Sequence, residues 1–194
     1  MRKCFIVLAI LLIILTVSIS GCTSENKLST IEPSEMTLQI SDIPENFILE
    51  KSSESVPSDV SQWALDHGWK KGYYVIYNKT DDIIPIPDTT ITQYIAKFPI
   101  DNISLIIPNT VKNLKNQATE NVSVDELSMP NVSDSSRMYR ITTKGVNAKT
   151  YVILFVKKDV YEIIQVYESI FEKNKMKDYE TLKQLANVAA AKIK

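Results

Sequence analysis

Histidine occurs once in this 194-residue sequence, cysteine twice and glycine four times, and each scarcity removes a class of chemistry. A transition-metal site wants several imidazole or thiolate ligands, and His67, Cys4 and Cys22 are too few and too far apart to supply one. Asp81, Asp82 and Asp88 lack the alternating spacing and distal Glu of a calcium loop, so a solvated acidic loop is expected there. Beyond Gly21 the glycines are Gly68, Gly72 and Gly145, too scattered for a phosphate cradle. No metal and no cofactor are therefore expected. Charge is also balanced, with 22 basic against 23 acidic side chains and no block of either sign. That argues against nucleic acid and against a polybasic membrane patch. No internal repeat is present, which excludes solenoids and propellers.

What the chain does have is one long apolar run. Arg2 and Lys3 form a positive n-region, Phe5 to Ile19 an apolar h-region, and Ile19-Ser20-Gly21 a small-residue approach to a cleavage point. An aliphatic residue, a small residue and Gly directly before Cys22 resemble the lipobox of prokaryotic lipoproteins. That resemblance implies a thioether from the Cys22 sulfur to a lipid glycerol, then cleavage leaving Cys22 as the mature N-terminus. Two acyl chains hold a protein stably where one does so only marginally. The alternative is an uncleaved anchor, although Phe5 to about Ser20 falls short of the ~17–25 residues that span a bilayer. Either way the expected location is the outer, extracytoplasmic face of the cell membrane. Cys4 would leave with the signal, so Cys22 would have no disulfide partner even in an oxidising compartment. Residues 1–21 are thus expected to be a lipoprotein signal peptide. The polar stretch "CTSENKLSTIEPSE" reads as a flexible spacer over 22–35, and 36–194 as one globular domain.

Within that domain, "MTLQI" and "ENFILEKSSE" read as short extended segments. "PSDVSQWALDHG" reads as a short helix capped by Ser58 or Asp59 and stopped by Gly68. "KKGYYVIYNK" sets Tyr73, Val75 and Tyr77 on one strand face, "TTITQYIAKF" sets Thr92, Tyr94, Ala96 and Phe98 on another, and the two form an expected hairpin. A helix is expected mainly over Asn109 to Thr119, beyond Pro108. "NVSVDELS" and "SSRMYRITT" read as strands, and "KTYVILFVKK", apolar on both faces, as a central one. Lys158 and Asp159 form an expected tight turn before "DVYEIIQVYES". The chain closes on a helix whose Tyr179, Leu182, Ala186, Ala189 and Ile193 face a sheet. The fold class expected is α+β, an antiparallel β-sheet flanked by helices.

The order of "ISDIPENF", "SDSSRMYRI", "YVILFVKKDVYEII" and "DYETLKQLANVAAAKI" resembles the PsbP-like lipoproteins, including the LpqN type, and especially a group of secreted archaeal lipoproteins from methanogens. The resemblance covers most of residues 36 to 194. It implies a layer sandwich of a curved sheet between helices, and a role in binding at the cell envelope. Photosynthetic members assist an extrinsic assembly. With His67 as its single histidine, this chain departs from them, and an oxygen-evolution role does not carry over.

Candidate functional residues are few. Asp66 and His67 are adjacent on a helix and point about a hundred degrees apart, a poor base and orienting carboxylate. No G-x-S-x-G elbow supplies a nucleophile. Trp63, Trp69, Tyr73, Tyr74 and Tyr77 cluster in sequence; most read as core, leaving Trp63, His67 and Trp69 as the candidate ligand or partner surface. N-x-S/T sequons at Asn78, Asn102, Asn121 and Asn131 are candidate glycosylation sites. The expectation is a lipid-anchored, non-catalytic domain that binds a partner protein or small ligand at the envelope. The alternatives are an envelope hydrolase or ligand-modifying enzyme whose site forms only in the fold, and a structural component of the surface layer.

Overall fold

The computed structural model describes residues 28–80, 87–129, 132–146, 148–169 and 178–194. Cys22, Asn131, Asp81 and Asp82 lie outside these residues, as does the side chain of Tyr179.

Seven strands form one antiparallel sheet: β1 (Ile48–Ser55), β2 (Lys71–Thr80), β3 (Pro87–Lys97), β4 (Val122–Leu127), β5 (Ser135–Thr143), β6 (Lys149–Lys157) and β7 (Val160–Glu168). Their spatial order is β1-β2-β3-β7-β6-β5-β4. Two meanders are thus joined along β3 and β7, where Lys97 pairs with Val160 and Thr89 with Glu168. The helices are α1 (Gln62–Asp66), α2 (Ile103–Lys115) and α3 (Asp178–Lys192). α3 packs on one sheet face and α1 and α2 on the other, giving an α+β sandwich with two apolar cores.

Strand alternation sorts residues between those cores. Tyr73, Val75, Tyr77, Ile91, Ile95, Ile153 and Phe155 face α3, whereas Tyr94, Ala96, Val152, Leu154 and Tyr161 face α2. β6 is apolar on both faces because both are covered; Val152, Ile153, Leu154 and Phe155 have no exposed surface. Each such side chain contributes about 1.5–3 kcal/mol of burial. Lys158 and Asp159 make the two-residue turn into β7, with Lys158 at φ 58°.

Several expectations change. "MTLQI" is extended only at its middle, where Thr37 and Gln39 have β-region dihedrals, and it joins no strand: 3-10 turns occupy Pro33–Met36 and Ile40–Asp42. Between them Leu38 sends its N–H to Gln93 Oε1 at 2.7 Å and receives the Tyr77 hydroxyl on its carbonyl at 2.6 Å. With both backbone groups satisfied by side chains rising from the sheet, the segment needs no strand partner. Residues 29–35, expected to be spacer, are part of the fold. Ser29 is buried, its N–H donates to Asp159 Oδ1 at 2.6 Å, and its carbonyl accepts from Lys97 Nζ at 2.9 Å. The fold therefore extends upstream of Met36 to Ser29. Finally, α2 begins at Ile103 and runs through Pro108. One lost backbone hydrogen bond, to the Ser104 carbonyl, is outweighed by burying Ile103, Ile106 and Ile107.

The segment from Pro57 to Gly68 divides into a 3-10 turn, Pro57–Asp59, and α1, whose cap is Ser61 accepting from the Ala64 N–H at 3.3 Å. Asp88 belongs to β3 and is buried rather than lying on a solvated loop.

Candidate functional site

α2 packs most extensively over β6 and β7 and less closely over β4 and β5. A wedge-shaped cavity of about 1200 Å³ opens there between helix and sheet. One α2 stripe at i, i+4, i+8 and i+12 spacing, Ile103, Ile107, Val111 and Lys115, forms its roof. Ser104 and Pro108 lie beside that stripe, and Ile100 precedes it. The floor is sheet: Tyr139 and Arg137 from β5, Val156 from β6 and Glu126 from β4. Asp134, Ser135, Lys157 and Lys158 close one end.

The walls are apolar and the rim is charged. Glu126 is the cross-strand partner of Tyr139 and stands between two cations, Lys115 Nζ at 3.7 Å and Arg137 Nε at 3.6 Å. Both distances exceed hydrogen-bond length, and all three groups are about half exposed. Such pairs contribute roughly 0–1 kcal/mol, so the cations are held loosely and are exchangeable. Arg137 is further positioned by donation from Nη1 to the Ser136 carbonyl at 2.9 Å. Across the mouth, Asp134 Oδ2 accepts the Lys158 N–H at 2.9 Å. Lys157 turns its ammonium away, to the Ala190 carbonyl on the other sheet face, at 2.7 Å. Burial pushes the Tyr139 hydroxyl up to about 12, and the Glu126 charge beside it adds to the shift. Tyr139 is thus a neutral phenol at any physiological pH, its hydroxyl hydrogen-bonded to the Glu126 carboxylate. The arrangement offers apolar area closed by a removable ion pair.

None of the three residues singled out from the sequence lines this cavity. Trp63 and His67 stack on each other, centroids 3.9 Å apart, and His67 Nδ1 donates to the Trp63 carbonyl at 2.7 Å. Asp66 accepts from Gln62 Nε2 at 2.8 Å, so Asp66 and His67 form no dyad. Trp69 Nε1 donates to the Tyr94 hydroxyl at 3.0 Å. Trp63 and Trp69 line separate smaller cavities of about 210 and 300 Å³. The sequons differ in availability. Asn102 Nδ2 donates to the His67 carbonyl at 3.0 Å, Asn78 Oδ1 accepts from Thr90 at 2.9 Å, and Asn121 is exposed in the turn before β4. Among the described residues no group of three or more His, Cys, Asp or Glu is placed to hold a metal. None of the described helices is long and apolar enough to cross a membrane.

A second polar centre lies under α3. Glu162, wholly buried in β7, accepts from Gln93 Nε2 with one carboxyl oxygen, while its Oε2 has no partner. Burial raises this carboxyl to about 8, against the smaller opposing effects of the Gln93 hydrogen bond and the Lys192 charge. It is a neutral acid inside the core, on the opposite face from the cavity.

Comparison with solved structures finds this architecture in the extracellular domain of PknH from Mycobacterium tuberculosis. That likeness has a TM-score of 0.64 at 12% identity and covers 86% of this chain and 98% of that one. The Rv0999 ortholog from Mycobacterium smegmatis matches at a TM-score of 0.46 and 11% identity, over 79% of this chain and 92% of that one. No protein-family model matches the sequence, the PsbP-like and LpqN types included, and a search of curated proteins finds no match. At this identity the likeness to the PknH domain gives the fold.

Proposed function

We propose that the chain is a lipid-anchored, extracytoplasmic binding module that holds a small ligand in the wedge cavity without catalysis, and that it is a distant relative of the PsbP-like and LpqN-type lipoproteins. The cavity carries this reading. It exceeds the ~300–1,000 Å³ usual for small-molecule sites, and is lined by apolar side chains with a few convergent polar groups. The PknH neighbour is itself an extracellular domain, which supports the same placement. Cys22 supplies the lipid attachment, and an envelope partner protein takes second place as occupant because the cavity is concave and mostly apolar in its walls.

Two measurements test this. Mass spectrometry of membrane-fraction protein is expected to find a mature N-terminus at Cys22 carrying lipid, and Cys22→Ser to abolish processing; an intact Met1 overturns the anchor. Native mass spectrometry of the full chain is expected to find a co-purified small molecule that is lost from a well-folded Val111→Trp variant, whose indole fills the cavity. An occupant retained unchanged in that variant sinks the cavity as its site.

A further inference from the structure

The loose ion pair at the rim points to the kind of molecule the cavity takes. Three cations, Lys115, Arg137 and Lys158, stand around the opening against two carboxylates, Glu126 and Asp134. The whole chain by contrast has a net charge of −1, so positive charge is locally concentrated where the apolar walls end. Glu126 occupies the place between Lys115 and Arg137, at distances too long for direct hydrogen bonds to either. An incoming anion that reaches both at hydrogen-bonding distance gains charge-assisted bonds that Glu126 does not make. Inside, Ile103, Ile107, Val111 and Val156 offer no polar partner from their side chains, so the buried part of the occupant is hydrocarbon.

We infer that the cavity binds an anionic amphiphile, a single-chain carboxylate or phosphate monoester. Its chain lies against the α2 stripe, and its head group replaces Glu126 between Lys115 and Arg137. This inference rests on the cavity being the ligand site and adds the chemical class. Glu126 acts as a resident counter-ion that keeps the two cations paired until the ligand arrives. Tyr139, whose hydroxyl is hydrogen-bonded to Glu126 in the resting site, passes that bond to the head group that displaces Glu126.

The test is calorimetry on the full chain in phosphatidylcholine nanodiscs, with protein-free nanodiscs subtracted. The probes are decanoate, decyl phosphate, 1-decanol and inorganic phosphate. Decanoate and decyl phosphate are expected to bind about tenfold or more tightly than 1-decanol, the size of one charge-assisted contact. Inorganic phosphate is expected to bind weakly or not at all. Lys115→Gln with Arg137→Gln is expected to erase the preference while 1-decanol binding persists. Glu126→Gln is expected to tighten decanoate several-fold and leave 1-decanol unchanged. These side chains are about half exposed, so the variants are expected to melt as the parent does. Equal binding of decanoate and 1-decanol, lost together in Val111→Trp, overturns the anionic class and leaves the cavity as the site. Binding of no decyl compound overturns both. Phosphate bound as tightly as decyl phosphate, or decanoate weakened by Glu126→Gln, overturns the head-group exchange.

Discussion

Glu162 is a carboxyl where the surrounding positions of β7, Val160, Ile164 and Val166, are apolar and without exposed surface. An ionised carboxylate there has one donor, Gln93, and leaves Oε2 unpaired, which costs several kcal/mol more than the neutral acid. The folded-state value of about 8 lies above the ordinary carboxyl value of 4.5, so the folded protein retains a proton that the unfolded chain releases. The contribution is fully present below about pH 4.5 and is lost as pH rises through about 8. Chemical denaturation of the parent and Glu162→Gln is therefore expected to show similar stability at pH 4.5. At pH 9 the variant gains roughly 2–4 kcal/mol over the parent. Parallel pH profiles would mean that Glu162 ionises without cost. Its burial was legible in "DVYEIIQVYES", where alternation puts Glu162 on the same face as three apolar residues. Its partner was not, because Gln93 is 69 residues away and only the pairing of β3 with β7 brings them together.

Between elements, the joint from α1 into β2 shows how a short helix is fixed. Gly68 has φ +83°, and a Cβ there would lie 2.8 Å from Pro99 Cγ. Asn102 bonds the His67 carbonyl from the start of α2, so both helices meet at this glycine. Gly68→Ala combines a left-handed backbone with a clash against a rigid ring, and is expected to lower stability by about 1–3 kcal/mol in thermal or denaturant melts. An unchanged melt would show that α1 docks independently of this joint. The Gly68 stop was readable from sequence; the start of α2 was not, because Pro108 looks like a boundary unless the apolar spacing upstream is followed through it. That same spacing, Ile103, Ile107, Val111 and Lys115, was the available signal for the cavity roof. What sequence lacked was the lateral position of α2 over the sheet, since helix–sheet register depends on contacts from distant strands.

For the molecule as a whole, the two meanders place β3, β7 and β6 in the interior and β1 and β4 at the margins. β1 is exposed along nearly all its length, with Ile48 and Leu49 more than half exposed. Native-state hydrogen exchange is expected to be slowest in β7 and β6, approaching the global unfolding limit, and fastest among strands in β1 and β4. Protection of β1 equal to that of β7 would show one cooperative unit reaching the edge. The strands and the hairpins were legible from alternation and turn residues, as was the α+β class. The aromatic cluster is dense in sequence, yet the sheet divides it between two faces. The wedge is assembled instead from a Lys, a Glu, an Arg and a Tyr that no local pattern joins.

The attachment of Ser29 to Asp159 fixes where the upstream chain leaves the body. Asp159 directly follows Lys158, one of the residues at the cavity mouth. Seven residue steps separate Cys22 from Ser29, and a fully extended chain of that length reaches at most about 25 Å. A lipid on Cys22 would therefore moor the molecule by the corner that carries the opening. The entrance would be confined to a thin layer above the bilayer, and exchange of an occupant with the membrane would become a short transfer within one tethered volume.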